Sequence, residues 1–349
     1  MTIRYVAAVP GRSATGLVGD VYAQIRREFG AVVEPFALHS AAPRLLAGVW
    51  IACRESVLVG SAQRSSKETV AVAVSDLNAC PYCVDAHTVM LHAGGRREAG
   101  GSRPPVRGAA EAAEIADWAR ATRSPGHPRL AAPPFEPALA PEFVATALTF
   151  HYINRMVSAL LDERLLPGGA LHGLAARAAG LYFARAVRGR RRPGASLGFL
   201  PDAPLPSDLA WASGSPSLAG ALARFVAVVE EEGGRALPAA VRRLVSASLA
   251  DWHGEDRGLS LAWLVDELEP LGAPDRPAGR LALLAAYQPQ RVSADLVASL
   301  RQAGADDHSL LGALAWPSLA AARRIASWLW PVAAAPSGQL PGTGCEPAR

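Results

Sequence analysis

The sequence predicts an all-α protein, on three observations. Apolar residues recur at the three-to-four-residue spacing of a helix face through most of the chain. Glycine and proline, 32 and 28 of 349 residues, fall mainly between those stretches, where they stop and start helices. No credible pair of strands stands anywhere in the sequence.

Each element follows from its own residues. Leu17, Val18, Val21, Ile25 and Phe29 share one face of a helix over 14–29, which Gly30 ends. A second helix begins after Pro43, with Leu45, Leu46, Val49, Trp50 and Cys53 on one face and a break at Gly60-Ser61. Val70, Val72 and Val74 alternate as in a strand, but Ser65-Ser66-Lys67-Glu68 reads as a capped helix start, which gives a helix over 66–77. Asn78-Ala79 turns the chain, and the next helix runs from Cys80 to His92, stopped by Gly94-Gly95. After a loop over 99–109 comes a helix over 110–123 with Ile115 and Trp118 inward. A proline-rich loop over 124–141 follows, and Pro141 and Glu142 then open a long apolar helix to Leu161. An Ala/Leu-rich helix is expected over 170–188.

Residues 189–207 are rich in Gly, Pro and Arg and read as a linker between a domain at 1–188 and a second helical domain at 208–335. The second domain carries helices at 208–232, 238–253, 258–270, 276–288, 293–303 and 306–331, and residues 336–349 form a disordered tail. Arg280 to Gly304 repeats the layout of Glu68 to Gly95: a helix, a turn and a second helix ending at glycine. Its turn holds no cysteine or histidine, so the second half reads as a degenerate repeat of the first.

The formal charge of +4 is small for this length, and Lys67 is the only lysine. The basic cluster Arg185, Arg188, Arg190, Arg191 and Arg192 reads as a solvated helix end rather than a nucleic-acid site. No apolar run reaches the ~18 residues of a membrane span, and the N-terminus lacks a secretory core. The expectation is a cytoplasmic protein with no nucleic-acid or membrane partner. The chain has 4 cysteines, which do not form a disulfide framework at this length. Cys53 lies in an apolar helix and Cys345 in the tail, so only Cys80 and Cys83 are spaced to act together.

With Cys80 at a helix start, Cys83 lies one turn on and His87 a further turn on the same face. The positive helix end and its free amides lower a thiol pKa. An imidazole nearby takes or returns a proton, and Glu68 on the preceding helix can orient it. A second cysteine lets a sulfenic acid condense to a disulfide. Three other readings stand beside this one: a zinc site using Cys80, Cys83 and His87, a glutaredoxin-type Cys-Pro-Tyr-Cys, and two cysteines packed as small hydrophobes.

Glu68 followed by Cys80-Pro81-Tyr82-Cys83-Val84-Asp85-Ala86-His87 resembles the alkyl hydroperoxidase D-like (AhpD-like) group of the carboxymuconolactone decarboxylase superfamily. The helix with Pro43, Leu45, Leu46 and Trp50, and the run Thr149 to Arg155, resemble its flanking helices. The resemblance covers about residues 35–165. It implies an all-helical fold, homo-oligomers, no cofactor or metal, and a thiol peroxidase acting on organic hydroperoxides with a dithiol donor such as a lipoyl protein. It further implies that Cys83 is peroxidatic, Cys80 resolving, and Glu68 and His87 the proton relay, with His151 a further candidate. Some members place a histidine just before the second cysteine. Tyr82 stands there in this chain, and a phenol of pKa ~10 does not shuttle protons near neutrality. A function of another class is a catalytically weak or inactive helical scaffold that binds partners or senses redox state.

Overall fold

The structure, a computed structural model, describes residues 3–94, 108–161, 165 and 191–330. Among these every regular element is helical, apart from one isolated bridge between Ile3 and Leu161. The first half holds α1 (Gly16–Phe29), α2 (Glu34–Ala37), α3 (Pro43–Cys53), α4 (Arg64–Leu77), α5 (Pro81–Gly94), α6 (Gly108–Arg120), α7 (Pro128–Ala131) and α8 (Ala140–Leu160). The second holds α9 (Pro216–Ala236), α10 (Ala239–Ala250), α11 (Trp263–Leu268), α12 (Arg276–Tyr287), α13 (Ala294–Gln302) and α14 (Asp307–Leu329).

The differences from expectation have local causes. The helix expected over 208–232 is a 3-10 segment, Ser207–Ala212, followed by α9. Pro216 forces Ser215 into extended backbone (φ −124°, ψ 98°), which no continuous helix tolerates. The helix expected over 258–270 shrinks to α11, because Gly258 takes a left-handed φ of 71° and its carbonyl accepts from Gln288 Nε2. Helix α2 has too few residues to show periodicity and is set by Pro35 at its start. The helix expected over 170–188, the tail at 336–349, residues 99–107 and Arg185 to Arg190 lie outside the described residues.

Helix α8 is the central element, buried on nearly every side, with α4 against one flank and α14 against another. Helix α3 crosses α9 at Gly48, where a Cβ would already meet the Phe225 ring at 3.3 Å. Helix α9 meets α14 closer still: a Cβ on Gly233 would fall 2.4 Å from Trp316, and one on Gly312 2.7 Å from the Glu232 carbonyl. Helices of the two halves therefore share one apolar core. The segment after residue 190 is tied to it as well. Buried Arg54 pairs with Glu28 at 2.8 Å and with Glu55, and donates to the Arg192 carbonyl at 3.0 Å. Glu55 in turn accepts from the Gly194 amide at 3.1 Å. No helix of the described residues is long and apolar enough to cross a membrane.

Candidate active site

A tight helix–turn–helix places the motif. The Cys80 amide donates to the Ser75 carbonyl at 2.9 Å, and the Ala79 amide to Asp76 at 3.0 Å. This is the 6→1 and 5→2 bonding of a Schellman ending, in which the first residue past the cap is usually a left-handed glycine. Here it is Ala79, at φ 50°. The residue that completes this ending of α4 is Cys80, whose carbonyl accepts from Val84 as α5 begins. One turn thus ends α4, starts α5 and fixes the first thiol at a helix N-terminus.

The hairpin folds α5 back along α4 and brings Glu68 to His87, with Oε2 2.6 Å from Nδ1. The other carboxylate oxygen accepts from Arg64 Nε at 3.1 Å. Burial opposes the charge of Glu68, but His87 and Arg64 outweigh it and hold this carboxyl below the usual carboxylate range. With Nδ1 committed to Glu68, Nε2 is the nitrogen His87 has left for proton exchange, and the ring stands edge-on to Phe150 at 4.5 Å.

Cys80 and Cys83 are both free thiols, 1% and 2% exposed, with their sulfurs 2.8 Å apart. Burial raises both, and hydrogen bonding separates them. Cys80 receives the thiol and the backbone amide of Cys83, together with Ser158 and Asn154, and is drawn below its ordinary value. Cys83 loses that competition and is pushed well above its own by burial and by the neighbouring sulfur. Of the two thiols, Cys80 is therefore the one that ionises first.

The two sulfurs also differ in what they face. Cys83 lines an apolar cavity of about 140 Å³, with Phe29, Phe36, Val57, Met90, Phe150 and Ile153 in its walls, while Cys80 does not reach it. His87, Tyr82 and Cys53 line the same space. The Tyr82 hydroxyl donates to Glu34 at 2.7 Å, and burial with that carboxylate raises its pKa further, so it stays a neutral donor. Cys53 is pushed up to about 12 by burial and the charge of Glu68.

His151 does not line the cavity. It is fully buried, and its nitrogens lie 3.0 Å from Asn78 Nδ2 and 2.9 Å from Thr122 Oγ1. Burial, with Arg155 and Arg123 adding, holds it neutral well below the usual histidine range. The sequence reading did not single out Asn154 of α8, which accepts from Asn78 Nδ2 at 2.9 Å and donates to Ser75 Oγ at 3.0 Å beside the turn that carries Cys80. Its signal was a polar residue four positions from Phe150 and four from Ser158 on an otherwise apolar helix. Among the described residues no group of three or more His, Cys, Asp and Glu is arranged to hold a metal ion.

No family model matches the sequence. The chain is 40% identical over 343 residues to the alkyl hydroperoxide reductase Rv2159c of Mycobacterium tuberculosis (strain ATCC 25618 / H37Rv), and the match covers 97% of each chain. On that identity and coverage, the chain belongs to the family of this alkyl hydroperoxide reductase.

Proposed function

We propose that the protein is an AhpD-like thiol peroxidase that reduces organic hydroperoxides through the Cys80/Cys83 pair. The observation that carries this reading is one sulfur on the wall of an apolar cavity with a second sulfur 2.8 Å behind it. A dry apolar cavity of ~150 Å³ takes up a molecule the size of benzene. The space beside Cys83 therefore favours a hydroperoxide with a compact hydrocarbon or aromatic group over hydrogen peroxide.

The order of steps proposed here starts from Cys80, the thiol that ionises first. As thiolate it takes the proton of Cys83 across the shared contact. The Cys83 thiolate attacks the terminal peroxide oxygen, the O–O bond breaks, and the alkoxide leaves as alcohol after taking a proton from the His87–Glu68 pair. Cys83 is now a sulfenic acid. Cys80 passes its proton to the relay and attacks the Cys83 sulfur, closing the disulfide, and the hydroxide it displaces takes that proton and leaves as water. The balance is one hydroperoxide and two thiols to alcohol, water and disulfide. A dithiol, such as the dihydrolipoyl group of a partner protein, then reduces the disulfide by exchange.

Turnover of cumyl hydroperoxide with dihydrolipoamide as donor tests the reading. The expected result is consumption that Cys83→Ser abolishes, and slower use of hydrogen peroxide. Wild-type turnover in Cys83→Ser would overturn it.

A further inference from the structure

Helix α4 opens on charges of the wrong sign for a helix start. Its first residue is Arg64, Lys67 follows one turn on, and no acidic residue stands in the first turn. A cation there meets the positive end of the helix. An arginine four residues before a glutamate is also the weaker order for an ion pair along a helix. Helix stability therefore does not account for Arg64, but its contact does. Nε donates to Glu68 Oε1 at 3.1 Å, and the carboxylate it meets is 1% exposed, so water does not screen the pair as it would at a surface.

The other oxygen of Glu68, Oε2, lies 2.6 Å from His87 Nδ1. One proton is shared between those two atoms, and its place decides what Nε2 can do. On Nδ1 it leaves Glu68 a carboxylate, which only accepts. A second proton, at Nε2, then makes the ring a cation that can give that proton up. If the shared proton passed to Glu68, the ring would be neutral, with an Nε2–H that donates a hydrogen bond but keeps its proton near neutrality. Burial favours that outcome, because a buried carboxyl prefers its neutral form. A guanidinium, charged at every accessible pH, opposes it. Lys67 is 2.5 Å from Glu142, Arg191 is 3.5 Å from Glu28, and Cys53 and Tyr82 keep their protons. Among the described residues Arg64 is thus the fixed cation paired with Glu68. We propose that Arg64 is a positioning residue that holds the proton shared by Glu68 and His87 on Nδ1, and so makes Nε2 of this cavity-lining ring the site of proton exchange. The consequence for turnover rests on the proposed peroxidase reading, whereas the place of the proton does not.

The test is nitrogen-15 NMR of the histidine rings in the reduced full-length protein, with His87 identified by its loss in His87→Gln. In the wild type Nδ1 should stay protonated on both sides of neutrality. Arg64→Gln removes the charge from a partly exposed position at a helix start, and should leave Nδ1 bare in a sizeable fraction of molecules below neutrality. Its kcat for cumyl hydroperoxide should fall about tenfold with KM unchanged, a part of what a general acid supplies. Arg64→Lys returns the charge, and should restore both the protonated Nδ1 and most of kcat. A fully protonated Nδ1 in folded Arg64→Gln overturns the inference. If that variant does not fold, a bare Nδ1 in Arg64→Lys does the same. A moved proton in a protein that turns over no peroxide would uphold the inference while removing the peroxidase reading. An unmoved proton with turnover intact would do the reverse.

Discussion

Glu68 is a buried carboxylate whose two oxygens are both engaged, one by His87 and one by Arg64. Replacing it with glutamine keeps the shape and removes the negative charge that faces His87 Nδ1. Glu68→Gln should therefore lower kcat for hydroperoxide by roughly 10²-fold, within the range general acid–base groups supply. KM should change little, since Glu68 is not in the cavity wall. An unchanged kcat would remove Glu68 from the relay. At this scale the sequence is informative where chemistry is local: cysteines three apart and a histidine one turn on share a helix face wherever that helix forms. It is silent on which thiol ionises first. That follows from the burial of both sulfurs and the hydrogen bonding between Cys83 and Cys80, with Ser158 and Asn154 of α8 adding less, and the burial is set only by the tertiary fold.

Elements are legible in this sequence to the extent that single residues punctuate them. Gly30 ends α1 and Pro43 opens α3 as expected. The α4–α5 turn is harder to read, because Ala79 occupies a left-handed site that usually signals itself by glycine. Interhelical distance is the other hidden quantity. Gly233 and Gly312 look like ordinary interruptions of apolar helices, yet they let α9 and α14 touch backbone to side chain. Gly312→Ala places a methyl 2.7 Å from the Glu232 carbonyl, and overpacking of this kind costs about 1–3 kcal/mol. The expected outcome is a lower denaturation midpoint with an unchanged m-value. A midpoint equal to wild type would mean that the α9–α14 crossing is looser than this contact requires.

Across the whole molecule, the shared core and the buried neutral histidines set the response to acid. His39 donates through Nδ1 to the Pro35 carbonyl at 2.8 Å and accepts at Nε2 from Tyr152 at 3.0 Å, so a second ring proton would turn the Tyr152 hydroxyl into an acceptor and take away the partner its own proton has. Burial lowers its pKa to about 4, against ~6.5 in the unfolded chain. The unfolded state thus binds the extra proton first, and stability falls as pH drops from ~6.5 towards 4, by about 3 kcal/mol from this one group. Glu68, held below its ordinary value, adds a loss that begins lower, as pH falls through the unfolded carboxylate range. Denaturant titrations at pH 7 and 4.5 should show this drop, and His39→Gln should flatten it. An equal slope in both proteins would contradict the assignment. The helices of the two halves pack through α3–α9 and α8–α14, so unfolding should be one transition despite the composition break at 189–207. That packing has no local signature in the sequence.

The peroxidase reading turns on which sulfur meets the oxidant. Treating the reduced protein with one equivalent of cumyl hydroperoxide, followed by mass mapping of the cysteine peptides, measures this directly. The wild type should close a Cys80–Cys83 disulfide, Cys80→Ser should hold one added oxygen on Cys83, and Cys83→Ser should stay reduced. Oxidation of Cys80 in Cys83→Ser at the wild-type rate would contradict the reading.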